Sequence, residues 1–192
     1  MAQYIPTDTL FTKQWYLRNT GQTGFGPGNI DLNIISVWPD YTGQGVTVAV
    51  YDNGVDYDHV DLNDNYDASK HVIINGSPSD AHTLTPGQVG SGTGFNSLNA
   101  HGTTIAGVVA AENNGEGTVG VAFDSTIVGA YAPFTFPSNT PTSQLVQAMQ
   151  QLKNFDVSVF AVGGPVFRDG QGNANYASFY SAIQSAVTDG RG

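Results

Sequence analysis

Short apolar runs alternate with helical stretches along this chain, and that alternation limits its fold more than any other feature. Val46-Thr47-Val48-Ala49-Val50-Tyr51 follows Gly43-Gln44-Gly45 and ends in Asp52-Asn53-Gly54. It predicts a buried strand. Residues 101–112 carry Ile105, Val108 and Val109 at helical spacing with small residues between, which predicts a helix buried on most sides. Thr126 to Tyr131 predicts a second strand. Thr140-Pro141 reads as a cap and first helical residue, followed by Leu145, Met149 and Leu152 on one face. Asp156 to Val162 predicts a third strand, ending in Gly163-Gly164-Pro165. Tyr176, Phe179, Tyr180, Ile183 and Val187 mark a last helix that stops at Gly190. Strands and helices in this order imply parallel strands joined by helical crossovers, an α/β layered fold. Residues 76–99, rich in Gly, Ser, Thr and Pro, read as a long surface loop of the kind that is often functional.

Composition removes several function classes. The 192 residues carry 6 basic and 16 acidic side chains, a net charge of −10. The cations (Lys13, Arg18, Lys70, Lys153, Arg168 and Arg191) are scattered, so no basic surface tracks phosphates. A nucleic-acid or anionic-membrane partner is not expected. No apolar run approaches the ~18–20 residues that span a bilayer. The first residues lack the charged and apolar regions of a classical signal peptide. There is no Cys, which excludes disulfides, thiolate catalysis and thiolate zinc sites. Glu112 and Glu116 are the only glutamates, so the acids are almost all Asp. Short carboxylates suit hard cations with oxygen ligands, and they suit a plain acidic surface equally well.

In parallel sheets function gathers beyond the carboxyl ends of the strands. Asp52 and Gly163-Gly164 fall at two such ends, and the amino end of the 101–112 helix is expected on the same side. Taken singly, Asp52 reads as a turn-forming Asp and His101 as a helix-end histidine bonded to backbone. As a pair they point to chemistry. A buried carboxylate that accepts from one imidazole nitrogen fixes the tautomer, and the other nitrogen is then a general base. Gly102 lets a backbone or substrate approach the ring closely.

Asp52-Asn53-Gly54-Val55-Asp56 followed by His101-Gly102-Thr103-Thr104-Ile105-Ala106-Gly107 resembles the subtilisin-like serine peptidases, in the Asp-then-His order of that family. The chain is most similar to the kexin and proprotein-convertase branch. The likeness includes Pro6-Thr7-Asp8, Gln14-Trp15-Tyr16-Leu17, Asp31-Leu32-Asn33, Trp38 and Gly43-Gln44-Gly45-Val46. It continues through Asp61-Leu62, Asn65-Tyr66-Asp67, Asn113-Asn114-Gly115, Gly120-Val121-Ala122 and Thr188-Asp189-Gly190-Arg191-Gly192. The resemblance implies a three-layer subtilisin-like fold, a mostly parallel central sheet flanked by helices. Residues 1–40 would be a lead-in segment and 41–192 the α/β core of a partial catalytic domain, its amino-terminal part. The activity implied is that of a serine endopeptidase, with Asp52 orienting and His101 as base. Ala161, Val162 and Gly163 would pair with an extended polypeptide substrate by strand addition. The family also implies a structural calcium. Asp8 and Asp61 would give carboxylates, Asn114 its amide oxygen, and Glu112, Glu116 and Thr118 backbone carbonyls, an all-oxygen set. Family members are mostly secreted, so an extracellular location is the expectation. Without the family, residues 113–117 are only a tight loop after a helix.

The departures bear on activity and specificity. The family's nucleophile lies after the histidine in a Gly-Thr-Ser-like turn. Here the later serines are Ser125, Ser138, Ser143, Ser158, Ser178, Ser181 and Ser185, and none has a glycine neighbour. The chain is therefore expected to be inactive alone, with the rest of the catalytic domain as a partner. Asn53 stands where convertases carry a second acid, and Arg168 lies near an acidic specificity position. Both speak against a pocket for paired basic residues. Val60 replaces a turn proline. Asp67 remains from a second calcium loop, but His71-Val72-Ile73-Ile74 replaces the rest. Two other readings compete: a non-catalytic relative that binds calcium and extended peptides, and a nucleotide-binding α/β domain. The second lacks a glycine-rich turn directly after a strand and opening a helix. Asn75-Gly76-Ser77 is a formal glycosylation sequon of low specificity.

Overall fold

The computed structural model describes residues 3–22, 24, 28–52, 54–79, 100–131, 142–161 and 174–190. They form two compact units. The first comprises residues 1–46, 58–66 and 106–126, the second residues 47–57, 67–105 and 127–192.

In the second unit the expected α/β layering is present. Strand β1 (Thr47–Asp52) lies between β4 (Thr126–Tyr131) and β5 (Val157–Phe160). β1 and β5 are parallel, with Val48 opposite Val157 and Tyr51 opposite Phe160. Side chains alternate along a strand, so Ala49 and Tyr51 enter one core while Val48, Val50 and Asp52 face the other way. That core gathers Ala49, Tyr51, Val128, Ala130, Ala148, Met149, Leu152, Phe155 and Ala182. Tyr51 is fully buried, stacks on Phe160 at 4.6 Å and donates its hydroxyl to the Ala148 carbonyl at 3.1 Å. Burial pushes its phenol pKa far up.

The predicted third strand begins one residue late. The Asp156 carboxylate accepts the Thr47 amide at 2.9 Å, a place the ladder would give to a carbonyl. Helix α2 covers Thr142–Met149, and its predicted cap, Thr140-Pro141, lies outside the described residues. Leu152 belongs to a separate 3-10 turn, Leu152–Asn154. Helix α3 runs Ala174–Asp189 and stops before Gly190 as expected. Its core face matches the predicted one at Ile183 and departs from it at Tyr180 and Val187, while the side chains of Tyr176 and Phe179 lie outside the described ones. Ala182, Ile183 and Ala186 pack inward, whereas Tyr180 and Val187 are exposed.

The start of the predicted 76–99 loop is a hairpin. β2 (Ile73–Ile74) pairs antiparallel with β3 (Ser77–Pro78). Asn75 and Gly76 both take positive φ, the signature of a tight two-residue turn. Two glutamines of the α2 region hold it. Gln151 accepts the Ile73 amide (2.9 Å) and donates to its carbonyl (2.7 Å), while Gln147 accepts the Asn75 amide (2.8 Å). The remainder, residues 80–99, lies outside the described residues.

The first unit has its own aromatic core of Phe11, Leu17, Ile35, Trp38, Val119 and Phe123. Trp38 donates its indole N–H to the Val121 carbonyl at 2.8 Å. Buried Gln14 brackets Val119, donating to its carbonyl (2.8 Å) and accepting its amide (3.0 Å). Helix α1 (His101–Ala110) ends two residues before the predicted limit. Ala111 still donates to Gly107, but the Glu112 amide leaves the helix to bond the Asp61 carbonyl at 2.8 Å. Asn65 caps the freed Ala110 carbonyl at 3.0 Å.

Candidate functional site

Asp52 is the last residue of β1, and His101 is the first of α1. The fold brings them together across 49 positions, with His101 Nδ1 2.8 Å from Asp52 Oδ2. The Asp52 side chain is 2% exposed and that of His101 41%. The carboxylate is thus held in the interior and the ring reaches toward solvent. A proton on Nδ1 is directed at the carboxylate, which leaves Nε2 as the basic nitrogen.

Local packing explains the approach. A Cβ on Gly102 would collide with the Gly54 carbonyl and lie 2.9 Å from the Asp52 Cβ, so only glycine lets this helix start so close to the strand end. One residue on, Thr103 Oγ1 accepts the Asp56 amide at 2.9 Å. Thr104 donates its hydroxyl to the Ala100 carbonyl at 2.8 Å, closing the first turn of α1. Sequence reasoning anticipated the close approach at Gly102. It did not anticipate the Thr103 hydroxyl, whose partner is 47 residues away.

A second constellation lies within the first unit, where Asp8 and Asp61 meet the 112–118 stretch through hydrogen bonds. Asp8 Oδ1 accepts the amides of Asn114 and Gly115, each at 3.2 Å. Asp61 Oδ2 accepts the amide (2.9 Å) and hydroxyl (3.2 Å) of Thr118. Each carboxylate keeps one further oxygen, Asp8 Oδ2 and Asp61 Oδ1, buried without a hydrogen-bond partner. Burial is the main cause raising the Asp8 pKa above its ordinary 3.8, and the Asp61 charge adds to it. Asn114 Oδ1 accepts the Glu116 amide at 2.9 Å. The Glu112 carboxylate has a structural task that sequence reasoning missed: Oε1 accepts the Asp64 amide at 2.7 Å. Gly117 takes a φ of +48° against the Asp61 carboxylate, where a Cβ would not fit. Among the described residues no three His, Asp or Glu side chains converge. A cation here would need amide and carbonyl oxygens to complete its shell, a donor set for a hard ion rather than for zinc.

Of the expected substrate-contact residues only Ala161 is described; Val162 and Gly163 lie outside the described residues, as do Asn53 and Arg168. Ala161 follows Phe160 directly and is half-buried. Among the described residues β5 carries no strand on its side away from β1.

A layered sheet that ends its central strand in a buried Asp, with a helix opening on a bonded His, defines a class. The subtilase family profile matches residues 43–191, and the chain belongs to that family, one of serine-type endopeptidases. Its relatives lie among the convertases. It is 46% identical to human (Homo sapiens) neuroendocrine convertase 2 over 125 residues, 64% of this chain and 18% of that protein. It is 39% identical to PC3-like endoprotease variant B of Hydra vulgaris over 127 residues, 65% of this chain and 16% of the relative. The crystal structure of the Aeromonas sobria serine protease superposes with a TM-score of 0.66 and 26% identity, covering 94% of this chain and 30% of that one. The matched part of the chain therefore covers less than one fifth of the length of each of these two relatives.

Proposed function

We propose that this chain supplies the acid–base half of a serine endopeptidase site, with His101 as general base and Asp52 as the group that orients it. The observation that carries this reading is the 2.8 Å contact between a buried carboxylate and a solvent-reaching imidazole. In the complete protein a serine hydroxyl attacks the peptide carbonyl and His101 Nε2 takes its proton. The imidazolium so formed is stabilised by Asp52. His101 then returns the proton to the leaving amine as the C–N bond breaks. The side of β5 that carries no strand among the described residues, together with Ala161, Val162 and Gly163, is the proposed seat of an extended polypeptide, bound by main-chain hydrogen bonds.

The Asp8–Asp61 constellation is proposed to hold a structural calcium. Two buried, unpartnered carboxylate oxygens and the all-oxygen neighbourhood fit that ion. Asp8 and Asp61 would bind through those oxygens, with Asn114 Oδ1 and the carbonyls of Glu112, Glu116 and Thr118 completing the shell. Bound calcium would supply the positive charge that two adjacent buried carboxylates lack. A calcium-rich, extracellular setting suits such a site.

Because no serine after His101 has a glycine neighbour, the 192-residue chain alone is proposed to be inactive. The purified chain is expected to cleave no peptide and to take no label from a fluorophosphonate probe; labelling would overturn that point. The longest in-frame protein that contains this chain tests the activity itself. Hydrolysis that disappears in His101→Ala supports the endopeptidase. A protein that hydrolyses nothing yet binds extended peptides would replace this reading with that of a non-catalytic relative.

A further inference from the structure

We propose that Thr103 is a positioning residue of the Asp52–His101 pair, setting the roll of α1 and hence the tautomer of the ring. The inference rests on the reading of that pair as the catalytic base and its orienter.

Forty-nine positions separate the partners, so chain connectivity does not fix their distance. One side is anchored: Asp52 closes β1, the middle strand of its sheet. The other side is the first turn of a helix, which has no preceding turn to steady it. Three consecutive residues of that turn touch the end of β1 and the residues just after it. His101 reaches Asp52 through its ring, Gly102 abuts Gly54 and the Asp52 Cβ, and Thr103 accepts the Asp56 amide. Gly102, having no Cβ, permits the close approach without holding it. The Thr103 bond is attractive and keeps it there.

The directions of these contacts matter as well. Successive residues on an α-helix point about 100° apart, so contacts at 101, 102 and 103 spread over about 200° of its circumference. The later turns of α1 are held separately, through the carbonyls of Val108, Val109 and Ala110, but its first turn, held at 102 alone, would be free to roll. A ring about 6 Å from the helix axis moves about 1.5 Å when the helix rolls about 15°, enough to break a 2.8 Å bond. Productive geometry tolerates only about 0.5 Å and 10–20°. Thr103 blocks the roll through its hydroxyl, without touching His101 or Asp52 in any contact described above.

The test is imidazole nitrogen NMR on the ¹⁵N-labelled 192-residue chain. The neutral His101 ring is expected as the Nδ1–H tautomer, with its proton bonded to Asp52. Thr103→Val keeps the shape and removes the acceptor. It is expected to lower the Nδ1–H to Nε2–H ratio by about fivefold to tenfold, the worth of one net hydrogen bond. Thr103→Ser restores the hydroxyl and is expected to restore the ratio, a rescue that general loss of stability would not produce. A wild-type ratio in Thr103→Val overturns the positioning role. A wild-type ring without a bonded Nδ1 proton overturns the catalytic pair itself, which is a separate failure. Should Thr103→Val not fold, amide exchange in the wild-type chain decides. A protected Asp56 amide supports the link to Thr103, and an Asp56 amide exchanging as in an unfolded chain overturns it.

Discussion

Asp52 in one unit and the Asp8–Asp61 pair in the other are all buried carboxylates, but they are completed differently. Asp52 has a protein partner in the His101 ring. Asp8 and Asp61 use one oxygen each on backbone and hydroxyl donors and leave the other bare. A buried charge needs a counter-group, because desolvation otherwise costs several kcal/mol. The first arrangement forms when the chain folds. On the proposed reading a cation completes the second, which would tie the order of residues 112–118 to ion concentration, unlike the Asp52–His101 geometry.

The strongest way to break this contrast is at Asp52. Asp52→Asn keeps the shape of the side chain but presents a donor to Nδ1, which favours the wrong tautomer. In the longest in-frame protein, turnover is expected to fall about 10⁴-fold, by analogy with the same change in a serine-protease triad. A loss below about tenfold in kcat would remove Asp52 from the mechanism.

The next effect belongs to the ion. Calcium at about 100 times its Kd is expected to stabilise the wild-type chain by about 2.7 kcal/mol, read as a rise in Tm. Asp61→Ala is expected to abolish that rise while leaving the His101 tautomer unchanged. An unresponsive wild type ends the metal proposal, and a tautomer that follows calcium ends the contrast between the sites.

The smallest effect comes from Asp67, a less buried carboxylate satisfied locally. The Ser69 hydroxyl, followed by Lys70, holds its pKa below the ordinary 3.8. A lowered carboxyl pKa stabilises the fold above the unfolded value, and that gain fades as pH falls through the native one. Ser69→Ala is expected to flatten the acid limb of the stability curve by a few tenths of a kcal/mol, as befits a solvent-screened group. Denaturant titrations between about pH 2 and 5 read it. A larger change would mean that local partners outweigh burial in this protein.

The sequence showed the elements that carry their own period or punctuation. The β1 run, its Asp-Asn-Gly end and the small-residue α1 stretch placed Asp52 and His101 on one side before any coordinate. The features it concealed depend on partners far along the chain. The Thr103 hydroxyl finds Asp56, the Glu112 carboxylate finds Asp64, and Gln14 finds Val119, and no local pattern announces any of these. The α3 face was legible in part: Ile183 packs inward as expected, Tyr180 and Val187 do not, and Ala182 and Ala186, too small to stand out in the pattern, do. The loop around Asn114 reads as a tight turn without the family, which alone suggests calcium there; the bare oxygens of Asp8 and Asp61 lie too far off in sequence to be seen locally.

The place of β1 in its sheet has one more consequence. With neighbours along both edges, it presents no open row of amides to solvent, and such strands are the last parts of a domain to open. An Asp rooted there sits on the stiffest piece of scaffold available. Whatever chemistry that carboxylate serves, it is anchored where the scaffold yields least, and change is easier in the loops around it.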